Sequence, residues 1–427
     1  MKHPFSDVAA FQRDATSLLS RDCRDGEPLK RLHLGLRPVY QVTDPDLVKP
    51  ILKADETILD KGRMVHKLRS VVGMSSLTIS GPENTRRRAA IHEQLRDGLA
   101  QHFVPVVTDL YRQVWSRLPE EGVVDAHSFT GPLALRVICS VLFGGGVLTA
   151  GDEAALITCV KLVEDDLADS ITRVLPALPH RQLAKRRNLR FAMAAMDLVV
   201  RRARDNASEQ SILRGLRTLG LSDTDLRDEI LMLMLAGHHT TGTAGAWILY
   251  YLAKDPVLAN AVRQEALQAC GPDGTLDARR LTRCAVSLNV VKEVLRLYPS
   301  SYWFARELKQ DHEIAGQPLK RGTSLIISPW QMQRDARFWS DPTEFRLGRD
   351  YGGKTYLPFG AGPRACIGIQ VAMLELQLLA LEFARNMDLE IHSPVPAPLP
   401  RPSLTLIPPP ILVSGRIHHP HHAREAA

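Results

Sequence analysis

The stretch Phe359-Gly360-Ala361-Gly362-Pro363-Arg364-Ala365-Cys366-Ile367-Gly368 sets one cysteine in a glycine-punctuated loop that runs straight into an apolar, helix-patterned segment. Glycines at 360, 362 and 368 permit backbone angles that are costly for other residues, so the loop can curl and aim its amides at one acceptor. A thiolate is such an acceptor. Gln370, Val371, Met373, Leu374, Leu376, Gln377, Leu378 and Leu379 then read as a largely buried helix, with Cys366 at its positive end. The dipole and the donated amide hydrogens favour the anionic sulfur that binds metal, and Arg364 adds positive charge two residues away. Cys366 is therefore read as a metal ligand rather than a buried structural cysteine. Zinc is the weaker candidate, because no CxxC or HxxxH pair stands near to complete about four ligands.

The stretch resembles the heme-binding signature of the cytochrome P450 family, Phe-Gly-x-Gly-x-Arg-x-Cys-x-Gly, at every defined position. The resemblance implies a mainly α fold, a large helical domain with small β-sheets. It also implies heme b (iron protoporphyrin IX) on the Cys366 thiolate, the ligation known for this family. Phe359, Gly360, Arg364 and Gly368 would then border the cofactor.

Nothing marks an internal linker in the 427 residues before a proline-rich end, so one domain over 1–427 is expected, with an entry segment over 1–30 and a disordered tail over 416–427. Hydrophobic residues at 44% and charged residues at 24% leave core volume unrestricted. Six scattered cysteines argue for a reducing, cytoplasmic location rather than a disulfide scaffold. The net charge of +7 suits an acidic partner surface, but basic residues are scattered among acidic ones and no aromatic-basic module appears, which argues against nucleic acid. The apolar runs 230–236 and 244–253 fall short of the ~20 residues that span a bilayer, so no transmembrane anchor is expected.

Val8, Phe11, Ala15, Leu18 and Leu19 have helical spacing, and strands are expected over 33–36 and 39–42, before a helix over 47–53 capped by Thr43 or Asp44. The family resemblance makes 62–80 a mobile loop over the substrate, with Met74 and Leu77 facing it. It places Arg88 on a heme propionate and Asn84 where the family usually carries a second propionate contact, His or Trp. Arg86 and Arg87 would point outward to an acidic electron donor. Residues 100–215 read as helices broken at Pro119, Gly131-Pro132, Gly144-Gly145-Gly146 and Pro176 to Pro179. Leu156, Leu162, Leu167 and Ile171 there are read mostly as core.

Ser222 with Asp225 opens a capping-box-like start to a helix that runs to Lys254. Its middle, Ala236-Gly237-His238-His239-Thr240-Thr241-Gly242-Thr243, is locally weak for a buried helix. It resembles the family's oxygen-activation motif, with Ala236 against the heme and Thr240 as the hydroxyl that steers a proton. The motif's acid is replaced by His239, which either relays protons itself or faces solvent while water does so.

Glu293 and Arg296 lie three apart on a helix ending before Pro299, a surface pair by default. In the family's order they match the ion pair behind the heme loop, joined by Arg349. Arg306 matches a propionate ligand, with Trp303 and Phe304 lining the pocket. Leu406 or Ile407 on a late hairpin would reach the substrate. His418, His419, His421 and His422 fall in the tail.

The resemblance thus implies a monooxygenase that inserts one atom of O2 into a small hydrophobic substrate, with terpenoid, fatty acid, steroid and polyketide skeletons open. Electrons would come through a ferredoxin-type donor with its reductase. The missing acid keeps two alternatives: a peroxide-using or non-oxygenating heme-thiolate enzyme, and a non-catalytic heme-binding protein. No arginine between 231 and 252 supports the peroxide version.

Overall fold

Helices dominate the computed structural model, which describes residues 3–417 apart from 22–25, 96–98, 116–121, 146–147, 173–178, 209–210 and 397. After two short N-terminal helices, Val8–Arg13 and Ala15–Ser20, the elements that build the site are α1 (Pro45–Lys53), α2 (Pro82–Gln94), α3 (Ala126–Phe143), α4 (Ala150–Thr172), α5 (Asp223–Lys254), α6 (Ala285–Leu297) and α7 (Ile369–Asn386). Asp44 caps α1 by accepting from the Asp46 amide at 2.8 Å, and Ser222 caps α5 by accepting from Asp225 at 3.1 Å. The 32 residues of α5 span ~48 Å.

Strands β1 (Leu29–Leu32), β2 (Val39–Val42), β3 (Leu59–Asp60), β4 (Phe304–Leu308) and β5 (Ser324–Ile327) form a sheet ordered β1-β2-β5-β4-β3, with only β2 and β5 parallel. The first strand therefore precedes the expected 33–36. Leu29 and Leu32 supply the inward residues opposite Val42 and Val39, whereas Gly35 takes φ +146° in the connection and Leu36 is exposed.

Two large hydrophobic cores and two small clusters result among the described residues. Of the large cores, one surrounds α5, with Trp247, Phe143 and Phe383 fully buried; the other joins the sheet to α1 through Val42, Val48, Ile51 and Leu325. The Cys366 loop bridges them, since α7 belongs to the first core while Gly362 presses on the end of α1. A Cβ at Gly362 would stand 2.5 Å from the Leu52 carbonyl oxygen, and its φ is +74°, so both space and backbone demand glycine.

Gly131-Pro132 does not break a helix; both lie inside α3. They sit where α3 crosses α5, and the Thr130 hydroxyl donates to the Gly242 carbonyl at 2.6 Å. By length and composition α3 is also apolar enough to cross a membrane, which its polar interruptions conceal in a search for unbroken apolar runs; in this fold it packs along α5. Segment 62–80 carries helices Gly62–Lys67 and Arg69–Val72 and is tied to α5, its Met74 and Ser76 amides donating to Asp228 at 3.2 Å and Glu229 at 2.8 Å. Leu156 is core and Leu162 packs against it. Pro119, Gly146, Pro176, the side chains of Leu167 and Ile171, and the tail histidines lie outside the described residues.

Candidate active site

Gly360 and Gly362 take φ of +65° and +74° and turn the chain so that the Cys366 amide donates to the Phe359 carbonyl at 2.9 Å. Gly368 differs, with φ −91° at the N-cap of α7, and a Cβ there would meet nothing within 4 Å. Cys366 thus precedes the helix by three residues. Burial pushes its thiol up, against the Gly368 amide and the Arg88 guanidinium, which favour the thiolate. A coordinated metal ion would hold the sulfur as the thiolate.

Behind the loop, Glu293 receives Arg296 through two 2.8 Å bonds and Arg349 at 2.9 Å, and Glu293 and Arg296 are both fully buried. The Tyr351 hydroxyl at 2.9 Å and the Arg346 amide at 3.0 Å complete the carboxylate's partners. Arg296 also donates to the carbonyls of Gln333, Pro342 and Glu344, stitching α6 to the chain that leads into the loop. Burial raises the Glu293 pKa, but Arg296 and the other donors outweigh it and hold the carboxyl below its ordinary range.

On α5, Ala236 is exposed, and the Thr240 hydroxyl donates to the Ala236 carbonyl at 2.7 Å, leaving its oxygen lone pairs to accept. The Thr240 carbonyl accepts from Ser300 at 2.8 Å. His239 does not face solvent. Its Nδ1 shares a 2.6 Å hydrogen bond with the Thr405 hydroxyl of the late hairpin, and its ring meets His127 and His238 edge-on. Burial lowers its pKa, so the imidazole is neutral at pH 7. The two glycines of this turn serve packing: a Cβ at Gly237 would stand 2.8 Å from Ile138, and one at Gly242 2.8 Å from the Gly131 Cα, both on α3.

A family model described as Cytochrome P450 matches residues 17–414. The chain belongs to the cytochrome P450 family. It is 25% identical over 399 residues to cytochrome P450 3A17 of Cavia porcellus, covering 84% of this chain and 78% of that protein. Cytochrome P450 4V2 of Rattus norvegicus is 27% identical over 413 residues, 85% of this chain and 77% of the relative. Cyclooctatin synthase of Streptomyces melanosporofaciens is 25% identical over 403 residues, 88% and 86% of the two chains. The protein is thus a heme-thiolate monooxygenase, an oxidoreductase that uses O2, an organic substrate and redox partners.

The residues around the P450 loop fit heme, a dianion by its two propionates. Arg88 donates to the Ala365 carbonyl at 2.6 Å, and Arg306 donates only to its neighbour Ala305 at 2.9 Å; neither has an ion pair among the described residues. Burial, then Arg364, holds Arg306 down at about 10, and burial, then Arg364 and Arg88, brings Lys61 to about 7. Arg364 pairs with Glu56 at 2.7 Å and Asp60 at 3.1 Å, yet its Nη1 is buried without a partner. Burial would raise Asp60, but Ser80, the Lys61 amide and Arg364 hold it at about 2. Three arginines and a partly charged Lys61 thus meet two carboxylates, which leaves the set net positive and suited to an anionic group. Glu56, Asp60, Lys61 and Ser80 belong to no motif; only folding gathers them.

Other expected positions are corrected. Asn84 is buried and donates to the Ser76 carbonyl, so it orders segment 62–80 rather than reaching outward to the cofactor. Arg87 is buried, bound to Glu83 at 2.7 Å and Glu229 at 3.4 Å, and cannot meet a donor protein; Arg86 remains on the surface. Leu406 is fully buried with Ala15, Tyr302 and Trp330, because alternation along the hairpin turns it into the core and gives Thr405 to His239. Trp303 packs edge-on against Phe11. Phe304 lies beside the loop, 3.9 Å from where a Gly360 Cβ would be, and Met74 and Leu77 are exposed.

Proposed function

We propose that this P450 holds heme b on Cys366 and inserts one oxygen atom of O2 into a small hydrophobic substrate, a terpenoid skeleton among the candidates. The observation that carries this is the set of half-buried arginines around Cys366, Arg88, Arg306 and Arg364, of which Arg88 and Arg306 have no anionic partner among the described residues. Arg88, Arg306 and Arg364 would take the propionates, Phe359, Gly360 and Gly368 border the ring, and Ala236 leaves room on the α5 side.

Bound heme supplies O2 activation at the iron, using two electrons. The chain's residues do the rest. Glu293, Arg296 and Arg349 fix the loop so that the sulfur holds its place. Phe304 and the exposed Met74 and Leu77 present apolar surface to the substrate. Thr240, having given its own hydrogen to Ala236, accepts a proton donor, and neutral His239 relays protons to it. The overall reaction is RH + O2 + NAD(P)H + H⁺ → ROH + H2O + NAD(P)⁺, with electrons passed by a ferredoxin-type donor and its reductase. A cytoplasmic site agrees with the unpaired state of Cys139, Cys159, Cys270, Cys284 and Cys366.

Purified wild type is expected to carry heme, to shift its Soret band when hydrophobic ligands enter, and to form product with a ferredoxin pair and NAD(P)H; Cys366→Ser loses the thiolate spectrum. Wild type without heme, or equal product from hydrogen peroxide alone, overturns the proposal.

A further inference from the structure

α5 carries no acid beside Thr240, but α4 brings one to the same place. Glu164 Oε1 stands 3.1 Å from His238 Nδ1, off the line of a direct hydrogen bond, and both atoms are buried with no other partner among the described residues. Their side chains keep 19% and 14% of their exposure, and Glu164 lies one helical turn from exposed Lys161, so the carboxylate sits between solvent and α5. The His238 ring meets that of His239 at 5.9 Å, almost perpendicular, and His239 meets His127 at 6.1 Å. Every neighbouring element contributes: Asp125 and His127 at the start of α3, Glu164 from α4, His238, His239 and Thr240 on α5, and Thr405 from the hairpin. Glu164 is the carboxylate whose charge favours protonated imidazole at both His127 and His239.

We propose that Glu164, paired with His238, supplies the protons that an acid on α5 would otherwise provide, and that they reach Thr240 through water and His239. This rests on the monooxygenase reading above and names the proton source of that same site. Each proton that leaves the His238 imidazole is replaced from Glu164, which is recharged from solvent; the two electrons come from the donor and no bond of the chain is changed. A carboxylate and an imidazole in contact can pass a proton from one to the other. Glu164 acts through other groups, so it is a positioning residue.

The test compares full-length heme-loaded wild type with Glu164→Gln, Glu164→Asp and His238→Gln. With a ferredoxin, its reductase and NADPH, Glu164→Gln is expected to slow O2-dependent NADPH oxidation about tenfold or more and to enlarge its D2O effect, with Glu164→Asp recovering most of the rate. Independently of turnover, ¹³C-histidine NMR of the diamagnetic ferrous carbonyl form should show the His238 ring signal, assigned by its loss in His238→Gln, displaced in Glu164→Gln. An unchanged rate and D2O effect, or an unmoved His238 signal, overturns the proposal. Wild type that oxidises no NADPH defeats the monooxygenase reading instead, and the NMR arm still decides the contact.

Discussion

Gly242 of α5 and Gly131 of α3 touch backbone to backbone: a Cβ on Gly242 would stand 2.8 Å from the Gly131 Cα and 3.2 Å from its nitrogen. Because the obstacle is backbone, Gly242→Ala forces the helices apart and is expected to cost about 1–3 kcal/mol, read as a lower unfolding midpoint. Gly245→Ala meets only the Leu379 and Thr130 side chains, at 3.1 and 3.3 Å, and should cost less.

Glu293 neutralises two arginines in the interior. Glu293→Gln leaves Arg296 and Arg349 buried and uncompensated, at about 3–5 kcal/mol. Little folded, heme-bound protein is expected, as measured by the reduced carbonyl spectrum. Since the folded pKa of Glu293 lies below its unfolded value, its stabilisation is present above the unfolded pKa and is lost as pH falls through the folded one.

Glu375 works in the opposite sense. Burial raises its pKa well above the ordinary carboxyl value. Above pH ~4.3 the unfolded chain ionises this group while the folded chain keeps its proton, so stability falls as pH rises. Glu375→Gln is expected to raise the unfolding midpoint more at pH 8 than at pH 4, by thermal unfolding at both.

Arg306 is held at about 10 by burial, then by Arg364, so without an anion it is a burden. Arg306→Met should raise the unfolding midpoint of the apoprotein yet speed heme loss to apomyoglobin about tenfold, the factor for ~1.5 kcal/mol of a charged hydrogen bond. Equal heme retention would remove Arg306 from the propionate site.

Leu406→Ala opens a cavity among Ala15, Tyr302 and Trp330 and is expected to cost about 2–5 kcal/mol in denaturant unfolding, while ligand-induced Soret titrations keep their Kd. A selective change in Kd would return Leu406 to the pocket.

Much of the site was legible because its chemistry is local. The cysteine, the glycines with positive φ and the helix that follows occupy ten consecutive residues, and Glu293 with Arg296 needs only one helical turn. The Ser222 cap is local in the same way. The fate of Arg87 was not legible: a run of three arginines looks solvated until Glu229, 142 residues on, arrives beside the middle one. The Gly131-Pro132 pair reads as a break because its partner, Gly242, is also remote in sequence.

The sequence by itself determined the glycine loop that carries Cys366, the helical class, the long helix with its Thr240 turn and the ion pair behind the loop, since each rests on backbone propensity and on neighbours within a turn or two. Tertiary structure alone decided which charges are buried, which of Thr405 and Leu406 meets α5, and that Glu164 stands against His238. Those outcomes depend on desolvation and on polar groups brought together across 74 to 166 residues, and neither burial nor distance is written in local order.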